Sequence, residues 1–267
     1  MNLFNNHNKP IIGMIHLLAL PGSPNFNNSI TNIFQNALEE AEILVNVGVD
    51  ALIVENFNDH PYLIDAVDIP SIIVMSNIVS TLVNKFKIPI GVNVLYNAWK
   101  TELLIAYYCS ANFIRSEVFV DTVISPSGII FPCAPELVRL QKSIGGQRIE
   151  IWADIQTKTT ETIIPKDIQQ SAIEAEKAGA SALIVTGSNT GVATPIEKIG
   201  LVKKAVNIPV IAGSGVNKEN IINVLKFADG VIVGSSLKAN NKAENKVSKT
   251  NAENFIKFAN QFRKGKA

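Results

Sequence analysis

Val210-Ile211-Ala212-Gly213-Ser214-Gly215 and Val231-Ile232-Val233-Gly234-Ser235-Ser236 are two versions of one design, a short β-branched run ending in a glycine–serine turn. Val and Ile suit the pleated, buried backbone of a strand. Glycine lets the chain turn away with its N–H groups uncovered. Two neighbouring parallel strands with such exits aim several backbone N–H groups at one point. That is the phosphate cradle expected after strands seven and eight of a (β/α)8 barrel, with the helix-like segment after Gly215 adding the partial charge of its N-terminus. The pair locates a ligand and gives the sign of its charge, but names no reaction.

Outward from this pair, one rhythm of apolar run, polar loop and amphipathic stretch occurs eight times. The runs are Ile11–His16, Ala51–Glu55, Ile90–Leu95, Phe113–Arg115, Glu150–Ile155, Ala182–Thr186, Val210–Gly213 and Gly230–Gly234. Their near-continuous Ile and Val content fits parallel strands covered on both faces. Between them, Ile33, Ala37, Ala41, Leu44 and Val45 follow helical spacing up to a stop at Gly48, and Ile173, Ala175 and Ala178 do the same before Gly179. Ile88-Pro89 and Ile208-Pro209 end helices just before strands. Ala252, Phe255, Ile256, Ala259 and Phe262 predict a last amphipathic helix that closes the outer ring. Eight units of this length favour a closed TIM barrel over a doubly wound open sheet. The expected organisation is one domain over residues 1–267, with residues 1–8 as a polar lead-in.

Composition agrees. The 267 residues match the roughly 250 of a typical barrel. A hydrophobic fraction of 47% supplies a large core. A net charge of +1 gives no reason to expect nucleic acid or an acidic membrane as a general partner. Cys109 and Cys133 form no disulfide or zinc pattern and read as packing residues of a reducing compartment. The N-terminus lacks the basic start and apolar run of a secretory signal, and no run approaches the roughly 20 apolar residues of a spanning helix. The expected location is cytoplasmic, with peripheral attachment to a membrane face and homo-oligomerisation left open.

In a barrel, the chemistry sits where the strands end. Those ends carry His16, Glu55-Asn56, Asn93, Arg115 followed by Glu117, Asp154 with Lys158 beyond it, the loop Thr186–Gly191, and Lys238 past the second glycine turn. His16 is either a general acid–base, for which its ordinary pKa suits, or a residue that satisfies a loop carbonyl. Glu55 is a base, a cation ligand or the partner of Arg115 or Lys158. Asp154 ends an apolar strand and needs a partner, for which Lys158 is the nearest cation in sequence. Asn93 bonds either substrate or a neighbouring strand. Arg115 offers a two-point contact to phosphate or carboxylate, the alternative being a salt bridge to Glu117 or Glu55. Lys238 is a phosphate contact or a solvated lysine, and Thr186–Gly191 a lid, an anion nest or a plain loop. His16, Glu55, Asp154 and Lys158 are thus the candidate catalytic set. Asn93, Arg115, Thr186, Gly187, Gly213, Ser214, Gly215, Gly234, Ser235 and Lys238 are the candidate ligand-binding set. With only His7, His16 and His60, a histidine metal cluster is not expected, and no cofactor is identified. Glu55, Asp154 and Asn93 offer only a weak site for Mg²⁺ bound together with a substrate phosphate.

The blocks KPIIGMIHLLALPGSP (Lys9–Pro24), GVDALIVENFNDHPY (Gly48–Tyr62), PIGVNVLYN (Pro89–Asn97), FIR (Phe113–Arg115), LIVTGSNTG (Leu183–Gly191), IAGSGVNKENI (Ile211–Ile221) and ADGVIVGSSLK (Ala228–Lys238) resemble the BtpA/SgcQ family in content and order. The resemblance implies a fold related to the ribulose-phosphate-binding barrels. It also implies a family whose cyanobacterial members are linked to photosystem I biogenesis at the thylakoid surface, while other members occur in non-photosynthetic organisms and apparent sugar-metabolism settings. His16, Glu55, Asn56, Asn93, Arg115, Asp154, Lys158, Gly187, Gly191, Gly213, Ser214, Gly215, Gly234, Ser235 and Lys238 match the family pattern. Three places depart from it. Ser116-Glu117 replaces the usual Val-Asn, Pro126-Ser127-Gly128 replaces Asp-Gln-Gly, and Thr159 in Thr157–Thr160 replaces the His of Val-Lys-His-Ala. An Asn, an Asp and a His of the mouth are thus absent together, while the cradle is kept. Two functions follow as expectations: an enzyme-like barrel acting on a phosphosugar or nucleotide-derived compound, or a non-catalytic biogenesis or regulatory factor.

Overall fold

The computed structural model describes residues 3–263. Eight parallel strands close into a barrel: β1 (Ile11–His16), β2 (Ala51–Glu55), β3 (Ile90–Asn93), β4 (Phe113–Ser116), β5 (Glu150–Ile155), β6 (Ala182–Val185), β7 (Val210–Ala212) and β8 (Gly230–Val233). Each pairs with the next, and β8 returns to β1 through Ile11↔Val231 and Gly13↔Val233. The outer ring consists of α1 (Ile30–Val47), α2 (Ile69–Lys85), α3 (Trp99–Tyr108), α4 (Ala134–Ser143), α5 (Ile168–Ala178), α6 (Ile196–Ala205), α7 (Ile221–Phe227) and α8 (Lys249–Arg263). The buried face of α1 includes Ile33, Ala37, Ala41 and Leu44 of the set that its helical spacing predicts, together with Asn36 and Glu40, while Val45 is only partly buried; α8 buries Ala252, Phe255, Ile256 and Ala259.

Alternation along each strand divides the core in two. Ile15, Leu52, Val54, Ile114, Ile151, Leu183 and Val231 face outward under the helices. Ile12, Met14, Ala51, Ile53, Phe113, Trp152, Ala182, Ile184, Ile211 and Ile232 fill the barrel itself. At its centre the Phe113 and Trp152 rings stack with centroids 3.7 Å apart. They fit because β3 carries Gly91, where a Cβ would lie 2.1 Å from the Phe113 ring. Each such ring buries about 150–250 Å², worth several kcal/mol at about 25 cal/mol per Å².

Two features were not anticipated from the sequence. Leu3–Asn6 is a helical turn rather than a featureless lead-in, and it closes the lower end of the barrel. Leu3 is buried in the inner core, and the Phe4 ring lies 5.7 Å from Trp152. Met1 and Asn2 lie outside the described residues. At the opposite end, Val123–Ser125, Gly128–Ile130 and Glu161–Thr162 form a small antiparallel sheet beside the mouth. Its first two strands join through Pro126-Ser127, one of the departures noted above. Val123 and Ile130 face inward and are buried, whereas Ile124 and Ile129 face outward and are each about half exposed (51% and 52%).

Candidate functional site

Two residues above the apolar barrel core, alternation brings one inward position from every strand to a single layer. Met14 leads to His16, Ile53 to Glu55, Gly91 to Asn93, Phe113 to Arg115, Trp152 to Asp154, Ile184 to Thr186, Ile211 to Gly213 and Ile232 to Gly234. The registers His16↔Glu55 and Glu55↔Asn93 hold three of them side by side. Charged and polar groups thus occupy the β1–β6 side of the layer, and glycines the β7–β8 side.

On the glycine side the two turns touch: Ser236 Oγ donates to the Val216 carbonyl at 2.6 Å. The β6 exit loop folds over them. Gly187 N–H donates to Ser214 Oγ at 2.7 Å, and Ser214 Oγ donates to the Val192 carbonyl at 2.9 Å. Gly215 has φ +62°, and a Cβ there would meet Ala193 N at 2.3 Å, so only glycine lets this loop and turn close together. Among the described residues, the N–H groups of Gly215, Val216, Ser235 and Ser236 have no protein acceptor. Uncovered N–H groups on adjacent turns are the arrangement that an anion seat requires.

On the charged side, Arg115 grips Asp154 with two parallel bonds, Nε to Oδ1 at 3.0 Å and Nη2 to Oδ2 at 2.9 Å. Thr157 Oγ1 donates to the same carboxylate at 3.1 Å. Burial opposes the guanidinium charge, but Asp154 more than restores it and raises the Arg115 pKa further. His16 stacks on Phe57 with centroids 4.4 Å apart. Its Nδ1 lies 2.9 Å from the Ala243 carbonyl and so carries the hydrogen, leaving Nε2 as a lone pair 3.8 Å from Glu55 Oε1. Burial, helped by the Lys238 charge, lowers the His16 pKa to about 3, so the ring is neutral at physiological pH. Burial raises Glu55, against the pull of Lys158 and Arg115. Burial and the Arg115 charge lower Lys158.

A narrow floor cavity of about 30 Å³ is lined by His16, Glu55, Arg115 and Lys158 on one wall and by Gly213–Val216, Gly234 and Ser235 on the other. It shares Phe57, Thr190, Gly191, Gly215 and Ser235 with an outer groove of about 610 Å³, which adds Asn217, Lys218, Ser236 and Lys242. A larger groove of about 730 Å³ lies between α1 and α8, away from all these groups.

The structure brings most of the candidate residues into this layer but redistributes their partners. Asp154 is held by Arg115, not Lys158, because β4 and β5 are neighbours in the barrel. Arg115 is bound by Asp154, rather than by Glu117 or Glu55, and still lines the cavity. Asn93 and Asp154 are buried beneath the cavity and do not line it. Asn93 Nδ2 donates to the Arg115 carbonyl at 3.0 Å and to Glu117 Oε1 at 2.7 Å. Thr186 Oγ1 accepts the Lys158 N–H at 3.1 Å. Lys238 is neither solvated nor at the cradle, against both sequence readings. Its ammonium is 1% exposed and pairs with Glu40 of α1 at 3.1 Å, an ion pair that ties the helix ring to the β8 exit. Sequence reading missed Phe57, which the Glu-Asn block carries next to Asn56. It named Glu117 only as a partner for Arg115 and a departure from the family, and missed Glu102 behind Asn93: burial pushes Glu117 up to about 8 and also raises Glu102. Among the described residues, no group of His, Cys, Asp and Glu could hold a metal ion. None of the described helices is long and apolar enough to cross a membrane.

A family model described as the BtpA family matches residues 7–261. An uncharacterised protein of Methanocaldococcus jannaschii is 36% identical over 256 residues, covering 96% of this chain and 97% of its own length. The photosystem I biogenesis protein BtpA of Synechocystis is 33% identical over 255 residues, covering 95% of this chain and 88% of its own. Among solved structures, the Thermoplasma acidophilum (S)-3-O-geranylgeranylglyceryl phosphate synthase, in complex with its substrate sn-glycerol-1-phosphate, superposes with a TM-score of 0.59 at 17% identity. That superposition covers 98% of this chain and 95% of the synthase, and it is a likeness of fold.

Proposed function

The chain belongs to the BtpA family, and from that premise we propose that it binds a small phosphorylated metabolite, a phosphosugar or nucleotide-derived compound, and acts on it as an enzyme. One observation carries the reading. Uncovered N–H groups of the two glycine–serine turns line the same cavity as His16, Glu55 and Lys158. The phosphate sits on Gly215, Val216, Ser235 and Ser236, each charge–dipole contact contributing roughly 0.3–1 kcal/mol where exposed. Arg115, fixed in direction by Asp154, adds charge on the cavity wall. Glu55 and the His16 Nε2 lone pair move protons at the far end of the ligand. A solved barrel of the same fold that holds sn-glycerol-1-phosphate supports a phosphate-bearing ligand.

The test is thermal stabilisation by glycerol 3-phosphate, ribulose 5-phosphate and AMP, followed by turnover of whichever binds. A ligand at about 100 times its Kd stabilises the fold by about 2.7 kcal/mol. Glu55→Gln keeps that stabilisation and loses activity by roughly 100-fold or more. No stabilisation by any phosphorylated compound rejects the reading.

A second reading, a non-catalytic assembly or regulatory factor attached peripherally to a membrane complex, is supported by the name of the Synechocystis relative. It is also supported by the exposed apolar face of the mouth sheet, with Ile124, Ile129 and Phe131. Gene deletion with rescue separates the two. If cradle and Glu55 variants restore the phenotype as well as the natural chain does, catalysis is not the role.

A further inference from the structure

Lys158 differs from the other buried or half-buried lysines of the molecule. Lys238 is paired with Glu40, Lys166 with Asp121 and Glu174, and Lys203 with Asp229, while Lys9 donates to the Ala228 carbonyl. The Lys158 ammonium has no hydrogen bond or ion pair among the described residues. Its main chain, in contrast, is clamped. The N–H donates to Thr186 Oγ1 at 3.1 Å, and the carbonyl accepts from Tyr96 Oη at 3.3 Å and from Thr159 Oγ1 at 2.6 Å. A fixed backbone thus presents a half-buried, uncommitted amine to the floor cavity, opposite the cradle. Asp154, the acid nearest to it in sequence, is already taken, since it gives both oxygens to Arg115, and Glu55 acts on the ammonium only as a neighbouring charge without an ion pair.

A lysine that is desolvated and set beside a fixed cation keeps a larger fraction of free amine near neutral pH, which makes it a nucleophile. Arg115 supplies the cation and burial the desolvation. The same wall carries Glu55, whose carboxyl burial shifts toward the protonated form, and the His16 Nε2 lone pair.

We propose that Lys158 forms an imine with the substrate, which is therefore a phosphorylated aldehyde or ketone. This rests on the phosphate reading above and specifies its substrate class. The free amine attacks the carbonyl carbon, so that a C–N bond forms and the carbonyl π bond breaks. One proton moves from nitrogen to oxygen to give a carbinolamine. Glu55 then protonates the hydroxyl, water leaves with the C–O bond, and the nitrogen lone pair closes the C=N bond. The resulting iminium loses its proton to Glu55, and the sum is amine plus carbonyl giving imine plus water. The cradle holds the phosphate end, so the carbonyl carbon lies on the side of Lys158.

The test uses dihydroxyacetone phosphate and ribulose 5-phosphate as carbonyl probes and glycerol 3-phosphate as the probe without a carbonyl. Thermal shift reports binding, and sodium borohydride followed by peptide mass spectrometry reports imine formation. The expected result is stabilisation by all three. Borohydride then fixes the carbonyl probes alone, at one site on the peptide that carries Lys158, as the probe less one oxygen atom. Lys158→Met and Lys158→Arg abolish the fixed species, and the arginine variant, which keeps the charge, retains a native melting profile. If the carbonyl probes stabilise the protein but are not fixed, or are fixed equally in the arginine variant, the imine is refuted and the phosphate site stands. If none of the three stabilises the protein, the phosphate reading fails and the imine fails with it.

Discussion

The two walls of the barrel mouth solve the same problem, holding polar groups over an apolar core, by opposite means. On the β7–β8 side the side chains are reduced to glycine and serine, and the polar groups are backbone N–H donors fixed by turn geometry. They carry no titratable charge. On the β1–β5 side, the groups are ionisable side chains whose states depend on one another: Arg115 needs Asp154, and His16, Glu55 and Lys158 are each shifted by burial and by neighbouring charges. The first wall suits a permanent anion and the second suits proton movement. Such a division lets one end of a ligand be held while the other reacts.

This contrast predicts distinct responses to damage. The largest effect is expected for Asp154→Ala. It leaves the Arg115 charge buried without a partner, a change that costs about 3–5 kcal/mol, to be read from denaturant unfolding. A loss below about 1 kcal/mol would mean that the charged wall is not held together by this pair. Next comes Gly215→Ala on the other wall. Its positive φ and the approach of Ala193 strain the turn by roughly 1–3 kcal/mol. Thermal shift should lose most of the stabilisation by glycerol 3-phosphate, because the Gly215 and Val216 N–H groups are displaced. Retained stabilisation would separate the ligand from the cradle.

The third effect is confined to alkaline pH. Glu117 has a folded pKa raised to about 8, so its contribution to stability is complete below the unfolded carboxyl value and is lost as pH rises through 8. Its Oε2 and the neighbouring Asn93 Oδ1 are both buried without a partner. Glu117→Gln supplies an N–H to that space and cannot ionise. Relative to the natural chain it should gain roughly 1–3 kcal/mol at pH 8–9 and little at pH 5. His16 works in the opposite sense. Its lowered pKa makes the folded state lose stability as pH falls from about 6.5 toward 3, whichever residue stands at 117. A pH profile unchanged by the Gln variant would place the buried proton elsewhere.

Much of this was legible in the sequence because a period of two is easy to read. The alternation that buries Ile12 and Met14 also carries His16 inward, and the same holds from Ile53 to Glu55 and from Trp152 to Asp154. The barrel followed from eight such runs, and the family from its ordered motifs. Pairings were not legible. Arg115 meets Asp154 because two strands are neighbours at a particular register, 39 positions apart in sequence, and proximity along the chain pointed to Lys158 instead. Lys238 was misplaced for a related reason, since its partner Glu40 lies 198 positions away on a helix face that otherwise reads as apolar. Leu3 and Phe4 were too few to show a period, and the mouth sheet came from a hairpin whose Pro126-Ser127 turn had been read only as a departure from the family.

If the backbone donors of the two turns form the anion seat, titration with glycerol 3-phosphate must move their amide chemical shifts. Saturable shifts led by Gly215, Val216, Ser235 and Ser236 are expected, and they survive Glu55→Gln. Shifts confined to other amides, with these four unmoved at saturation, would contradict it.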